Sequence, residues 1–469
     1  MKYETDLVIV GGGIAGMVCA LRSAVGGKSV IVLEAGSDER YLCNSRVTGG
    51  VFHVCLRDIN LPEQDLEQAI VDATNGQAHT ALAGAVARDA KRVVKWLQGR
   101  GIRFMRASPA PHHSVALAPP ALVRVGLQFE GRAGDVLLRS LEQQLNEAGG
   151  KVLRGHRVKR LLQSGSACIG VEAETEDGVV QVMADSTLIA DGGFQCDDHR
   201  LQDAGIVAPD LVVQRNAGTG RGDGIRMALE FGAAISELSG FYGHVLARAA
   251  RENNRLWPYP WLDELMMDGM LVDDKGRRFL DEGRGGIYAA NVVALRDDPL
   301  STTVIFDSEA WAEAKKSRAL PPNPNLEKEG AEVYVAETIE DLALKIGVDP
   351  IQLSQTIEAH NDAIANGALG SLTPPRSEKS MPARRISKAP YYAIPASAGV
   401  TYTMGGIAID EWSRALDPSG APIDGLFAAG SASGGLEGGP NFGYVGGLSK
   451  AAVTGFRAAE FILGDQNAA

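Results

Sequence analysis

The sequence predicts an α/β fold in which a dinucleotide-binding domain is interrupted by an inserted second domain. Three observations carry the prediction. The chain opens with an apolar strand, a glycine turn and a helix; its composition changes between about 235 and 390; and strand, glycine turn and helix return near the C-terminus. The expected units are therefore residues 1–234, an insert at 235–390 and a returning segment at 391–469.

The first element, Asp6 to Val10, runs into Gly11-Gly-Gly13-Ile-Ala15-Gly16 and a helical stretch. A second strand, Val30 to Leu33, is closed by Glu34 and Ala35. This is the spacing a βαβ unit needs to hold a dinucleotide. Gly11 permits the tight turn, Gly13 lets the backbone approach a pyrophosphate, and Gly16 allows close packing of helix on strand. The helix N-terminus then receives the phosphates, and Glu34 suits a ribose diol.

With 469 residues the chain exceeds what one core supports, and 56 glycines suit a protein with many backbone-lined ligand turns. A formal charge of −12 without a lysine or arginine cluster argues against a nucleic-acid partner. No apolar run approaches the roughly twenty residues of a membrane span and no charged leader precedes the first strand, so the expectation is a soluble, cytoplasmic protein. Cys19, Cys43, Cys55, Cys168 and Cys196 lack CxxC or CxxCH spacing and read as reduced, buried thiols. No metal site is expected.

Further along, Asn44 to Gly50 is a polar, glycine-bearing loop where a plain connection would suffice, which suggests a second ligand-contacting loop. Residues 65 to 100 have helical spacing, and the prolines between 105 and 127 exclude a long helix or a central strand there. Leu137 to Leu145 reads as a helix, and Lys151-Val-Leu and Arg157 to Leu162 follow it. Two alternating segments, Ala167 to Ala173 and Val179 to Val182, have the period of a β-meander, and Ser186 to Ala190 reads as a separate short buried strand ending in Gly192 and Gly193. A glycine group, Gly218 to Gly224, opens the helix from Ile225. The insert holds Trp257, Trp261 and Trp311 and ends in helical patterns at Ile339 to Leu344 and from Pro350. Leu426 to Ala429 is a buried strand running into Gly430, and Leu448 to Ile462 is a helix.

Taken together, Gly11-x-Gly13-x-x-Gly16 with Glu34, Asn44-Ser45 with Gly49-Gly50, Ala190-x-Gly192-Gly193, Gly222-Asp223-Gly224, Arg278-Phe279-x-x-Glu282, Thr403-Met-Gly405-Gly406 and Gly425 to Gly430 resemble the fumarate reductase/succinate dehydrogenase flavoprotein superfamily. The resemblance covers nearly the whole chain. It implies a Rossmann-like FAD-binding domain of the glutathione-reductase type, with residues 235–390 as an α+β capping domain over the flavin. It also implies that Gly11, Gly13 and Gly16 meet the pyrophosphate, Glu34 the adenosine ribose, and that Val158 lies near the adenine, with Ala15 and Ala35 in the same cofactor set. Asn44, Ser45, Thr48, Gly49 and Gly50 would lie along the flavin end; Gly192, Asp223, Gly430, Ser431, Gly446 and Leu448 complete the implied cofactor set. Asp191 stands where the family usually has Thr, and Ser431 where it has Glu. Covalent members carry a flavin-linking His in the loop near 44 to 50, and none occurs here, so noncovalent FAD is expected, with His53 in reserve.

The substrate positions depart from fumarate reductases. After Ile305-Phe306-Asp307 no catalytic Arg follows; Tyr402 stands where a carboxylate-binding His belongs; and Pro440 to Gly447 lacks the family's Arg. His244 and Glu282 match the family's pattern. Tyrosines at such positions are closer to the ketosteroid and cyclohexanone-type FAD dehydrogenases of the same superfamily. That resemblance implies loss of a proton α to a carbonyl and of a hydride from the β carbon to flavin N5. Tyr444 with the Gly446 or Gly447 amide is the candidate oxyanion donor, and Tyr402, Tyr242 or His244 the candidate base.

The expected activity is therefore an FAD-dependent dehydrogenase forming a C=C bond α,β to a carbonyl of a small-molecule substrate, a cyclic ketone or keto acid. A fumarate reductase- or tricarballylate dehydrogenase-like oxidoreductase, using Arg248 or Arg284, is one rival. A flavin-binding idle or electron-transfer subunit is the other. No haem, iron–sulfur or second GxGxxG motif is present, so an external electron acceptor is expected. Trp257, Tyr259 and Trp261 read as cap core or as an apolar substrate wall, Glu282 with Arg284 as a surface ion pair, and Arg248 as a solvated surface residue.

Overall fold

In the computed structural model, residues 1–465 are described except 123, 125, 127, 238 and 317–319. Part of the proline-bearing stretch at 105 to 127 lies outside the described residues; the rest holds the short strands Phe104–Met105 and Val115–Leu117 and a helical turn.

The first sheet has eight strands. Its main path runs Arg414–Leu416, Pro422–Ala428, Gly178–Ile189, Lys2–Val10, Val30–Glu34 and Lys151–Arg154. Every pairing along this path after the first is parallel, and Val10 lies beside both Leu33 and Ile189, so these strands end at one edge. Strand Val30–Glu34 is buried throughout, as a parallel strand covered on both faces must be. Helix Ile14–Val25 packs between the last helix, Gly447–Leu463, and helix Ala133–Glu147. Glycine sets that closeness: a Cβ on Gly455 would fall 2.1 Å from Ala15 O, and one on Gly16 2.2 Å from Gly11 O.

Where the sequence suggests a meander strand and a separate short buried strand, the structure has one strand. Val179 to Val182 and Ser186 to Ala190 are parts of a single strand, Gly178–Ile189. Its first half pairs antiparallel with Ala167–Thr175, and from Gln181 to Ile189 it pairs parallel with Lys2–Val10. Alternation fades along it because its environment changes from half-exposed to fully buried.

The second sheet is built on the 13-residue strand Tyr391–Thr403. Phe241–Ala247, Thr303–Asp307 and Tyr334–Ala336 pair antiparallel with it, and Val213–Gln214 parallel. Hydrogen bonding therefore runs across the residues 234/235 and 390/391, where the sequence suggests domain limits. At the far end Thr403 Oγ1 accepts the Phe194 N–H at 2.9 Å, which ties this sheet to the glycine loop after Gly178–Ile189.

Tyr242 lies opposite Tyr402, but Gly243 lies opposite Val400. Thr401 is thus an extra, bulged residue, and bulges re-aim the side chains beside them.

Candidate functional site

A cavity of about 1340 Å³ lies between the edge where the parallel strands end and the second sheet. Ligands bind outside the carboxyl ends of such strands. The volume exceeds the roughly 300–1,000 Å³ of an ordinary small-molecule pocket, leaving room for a dinucleotide with a substrate.

Gly11, Gly13 and Ala15 line one end. Gly11 has φ +100°, and a Cβ there would fall 2.7 Å from Ala190 O, so the turn requires glycine. Gly16 is outside the lining and serves the helix packing already described. Helix Ile14–Val25 has no side-chain cap of its own and no acid in its first turn; Ser45 Oγ instead accepts the Ile14 N–H at 2.9 Å. The last helix also starts uncapped and acid-free, with Gly447 and Leu448 in the lining. Two helix N-termini without an acid in their first turn, each with a single N–H facing a side-chain hydroxyl, open into one cavity and suit a ligand with anionic phosphates and an electron-rich ring.

Glu34 and Ala35 line the same end. The Glu34 carboxylate accepts the Gly12 and Gly36 N–H groups at 2.9 and 2.8 Å, and burial raises its pKa. Val158, Gly192 and Asp223 also line it, with Asp223 2.6 Å from Arg157. Asp191 adds a feature the sequence did not reveal. Burial pushes its pKa to about 7, and Oδ1 is buried without a protein partner at the cavity wall. That orphan acceptor supports a ligand hydroxyl or amine there. These donors and acceptors fit a dinucleotide such as FAD.

Asn44, Ser45, Thr48, Gly49, Gly50, Gly430 and Ser431 line the middle. Asn44 spans from the Ala217 N–H (2.9 Å) to the bulged Thr401 carbonyl (2.8 Å), so the bulge holds this loop.

Tyr242, His244, Tyr402 and Tyr444 meet at the other end. Asp263 Oδ1 accepts the Val245 N–H at 2.9 Å and its Oδ2 lies 2.7 Å from His244 Nδ1. Nδ1 therefore carries the proton, and Nε2, 3.1 Å from the Tyr242 hydroxyl, accepts from it. Burial lowers the His244 pKa, keeping it neutral, and its ring stacks on Trp261 at 3.7 Å. Tyr242 can thus pass its proton to His244 while accepting another.

Tyr444 has the opposite polarity. His53 Nδ1 accepts the Leu56 N–H at 3.2 Å, leaving Nε2–H to face the Tyr444 oxygen at 3.3 Å; the Gly447 N–H faces the same oxygen at 3.4 Å. Burial drives His53 to a pKa of about 3, so it stays neutral. With two donors on its oxygen, Tyr444 must donate its own proton, which the neighbouring Tyr242 oxygen accepts and which a carbonyl entering the cavity would compete for.

Besides the Gly447 amide, which faces the Tyr444 oxygen, two candidates are engaged elsewhere. Tyr402 O–H donates to Glu437 Oε1 at 2.8 Å, and the same oxygen accepts Val445 N–H at 3.0 Å and Gly446 N–H at 3.4 Å. Gly446 is outside the cavity lining. Lys450, buried like Glu437, donates to Glu437 Oε2 at 3.1 Å. Glu437, Lys450 and Asp263 were missed. A lysine in the apolar stretch from Leu448 was a readable sign of a buried pair, whereas nothing local marks Asp263.

Trp257 and Trp261 face the cavity, while Tyr259 is buried. The expected Glu282–Arg284 surface pair is replaced: Glu282 is fully buried and pairs with Arg278, because it lies beneath the strand Met270–Val272, whose Leu271 N–H it accepts. Arg284 lines the cavity, bonded to Asn441 and lying over Tyr288. Arg248 is partly buried and holds the Leu300 and Thr302 carbonyls instead of solvent. Arg215, unremarked in the sequence, also lines the cavity. Among the described residues no cluster suits a metal ion and no helix is long and apolar enough to cross a membrane.

A family model described as FAD binding domain matches residues 6–443. A probable fumarate reductase of Shewanella frigidimarina is 25% identical over 92% of this chain and 71% of its own length. The 4-oxocyclohexanecarboxylate 2-dehydrogenase of Sinomonas cyclohexanicum is 25% identical over 91% and 87%. A solved 3-ketosteroid delta1-dehydrogenase of Sterolibacterium denitrificans, in complex with 1,4-androstadiene-3,17-dione, has the same fold, with TM-score 0.77 at 18% identity over 99% of this chain and 100% of that one.

Proposed function

The chain belongs to the FAD-binding-domain family of succinate dehydrogenase and fumarate reductase flavoproteins, and from that premise we propose that it forms, or in reverse saturates, a C=C bond α,β to a carbonyl. Family membership makes it an FAD-dependent oxidoreductase. The substrate we infer is a cyclic ketone or keto acid, in keeping with the named substrate of the 4-oxocyclohexanecarboxylate dehydrogenase.

One observation carries the reading: two stacked tyrosines of opposite proton polarity at the end of the cavity away from the nucleotide turn. Bound noncovalently, FAD supplies the hydride acceptor. Tyr444 donates its O–H to the substrate carbonyl oxygen and so stabilises the enolate that develops. Tyr242 takes the α proton as its own hydroxyl proton moves to His244 Nε2, and Asp263 offsets the charge on the imidazolium. Tyr402, tied to Glu437, closes the wall behind them. The electron acceptor is external to this chain.

A second reading, oxidation or reduction of a di- or tricarboxylate, is favoured by the Arg284 side chain in the cavity and by the fumarate reductase relative.

The test is anaerobic visible absorbance of the holoprotein titrated with 4-oxocyclohexanecarboxylate, cyclohexanone, succinate and tricarballylate. Loss of the flavin band near roughly 450 nm with a ketone supports the proposal. Bleaching by succinate or tricarballylate alone overturns it for the second reading, and no bleaching by any of them favours an idle or electron-transfer subunit.

A further inference from the structure

Arg215 stands in the loop after strand Val213–Gln214, and its side chain enters the cavity beside the tyrosines. Three contacts fix it. Nε donates to Pro258 O at 3.0 Å, Nη1 to Thr401 Oγ1 at 3.0 Å, and the guanidinium lies 5.1 Å from the centroid of Trp261. Trp261 stacks on His244, whose ring is 5.2 Å from Tyr242, which in turn stacks on Tyr444. Arg215 is therefore one end of a continuous aromatic row whose other end is the carbonyl donor.

The charge of this arginine is not neutralised. Its hydrogen-bond partners are a carbonyl and a hydroxyl, and among the described residues no carboxylate lies within ion-pair distance of it. Asp263 is the acid nearest in effect, but its two oxygens are taken by His244 and the Val245 N–H. Arg157 at the nucleotide end, in contrast, has Asp223. Nη2 has no protein acceptor among the described residues. A guanidinium held rigidly by neutral groups, with one edge turned to a cavity, is prepared for a carboxylate. A neutral ketone would leave that largely desolvated charge uncompensated.

We propose that Arg215 is the receptor for a carboxylate on the substrate, so that the substrate is a keto acid whose ketone meets Tyr444 while its carboxylate meets Arg215. This rests on the carbonyl-oxidation reading above and narrows it.

The experiment compares 4-oxocyclohexanecarboxylate with its methyl ester on the FAD-loaded protein, by calorimetric binding and by kcat/KM. The acid is expected to bind about 100-fold more tightly than the ester, the scale of a charge-assisted hydrogen bond. In Arg215→Met that ratio should collapse to about one, and in Arg215→Lys, which keeps the charge without the fork, it should fall about tenfold. If Arg215→Met does not retain flavin, the wild-type ratio and Arg215→Lys decide. Equal binding of acid and ester to the wild type, or an unchanged ratio in the variants, overturns the assignment while leaving ketone oxidation standing. Arg215-dependent binding of an acid that never bleaches the flavin upholds the assignment and overturns the dehydrogenase reading.

Discussion

Tyr242 and Tyr444 lie face to face, ring centroids 4.1 Å apart and planes 14° from parallel, yet each phenol is wired to a different histidine. Tyr242 donates its O–H to His244 Nε2, whereas the Tyr444 oxygen accepts the His53 Nε2–H. On the mechanism proposed above, two chemically identical side chains become a base and a donor by what stands behind them.

Replacing either should separate these roles. Tyr444→Phe is expected to lower kcat about 10²–10³-fold, as loss of one oxyanion donor does. Tyr242→Phe should lower it about 10²–10⁴-fold and also abolish exchange of the substrate's α hydrogen with D2O, which Tyr444→Phe should slow less. Steady-state kinetics and NMR of the ketone check both.

Gly286 bears on the proposed base through Asp263. A Cβ there would fall 1.9 Å from Asp263 Cγ, so Gly286→Ala must push the carboxylate from His244. We expect a loss of about 100-fold or more in kcat with the flavin spectrum intact. Activity close to wild type would remove Asp263 from the mechanism.

Lys450 and Glu437 form a buried ion pair, and removing one partner leaves the other charge uncompensated. Lys450→Met should destabilise the protein by about 3–5 kcal/mol, and Lys450→Met with Glu437→Gln should recover part of that. Urea unfolding of the three proteins provides the comparison.

His53 links stability to pH. Its folded pKa of about 3 lies below the ordinary imidazole value of 6.5, so the unfolded chain takes up this proton first. Its stabilising effect is present in full above pH 6.5 and is lost as pH falls toward about 3. Between pH 7 and pH 5 wild type should lose about 2 kcal/mol more than His53→Gln, measured by urea unfolding at both pH values.

Noncovalent attachment predicts that all flavin stays in the supernatant after acid precipitation. A yellow pellet would point to a covalent link and bring His53 back into consideration.

The legible parts of the sequence were the local ones. Gly11 to Glu34 could be read because every contact that defines the turn lies within one βαβ unit. Helix Gly447–Leu463 could be read from its apolar run. Strand Gly178–Ile189 reads as two because periodicity reports burial, and burial changes along the strand while the backbone runs on unbroken. Asp263 was invisible because its role depends on strand Phe241–Ala247 lying beside it, a tertiary fact. Arg215 was invisible for the same reason: only the fold shows that no acid answers it.

The bulge at Thr401 makes the length of this strand as constrained as its composition. Thr401 gives its carbonyl to Asn44 and its hydroxyl to Arg215, while Tyr402 and Thr403 beyond it face Glu437 and Phe194. Removing one residue upstream would turn every later side chain to the opposite side of the sheet in a single step. Substitutions here can be graded, but a one-codon deletion cannot: it would detach the cofactor loop, the guanidinium and the tyrosine wall together. Variation among natural relatives of this chain should therefore tolerate exchange along Tyr391–Thr403 and forbid a change of register.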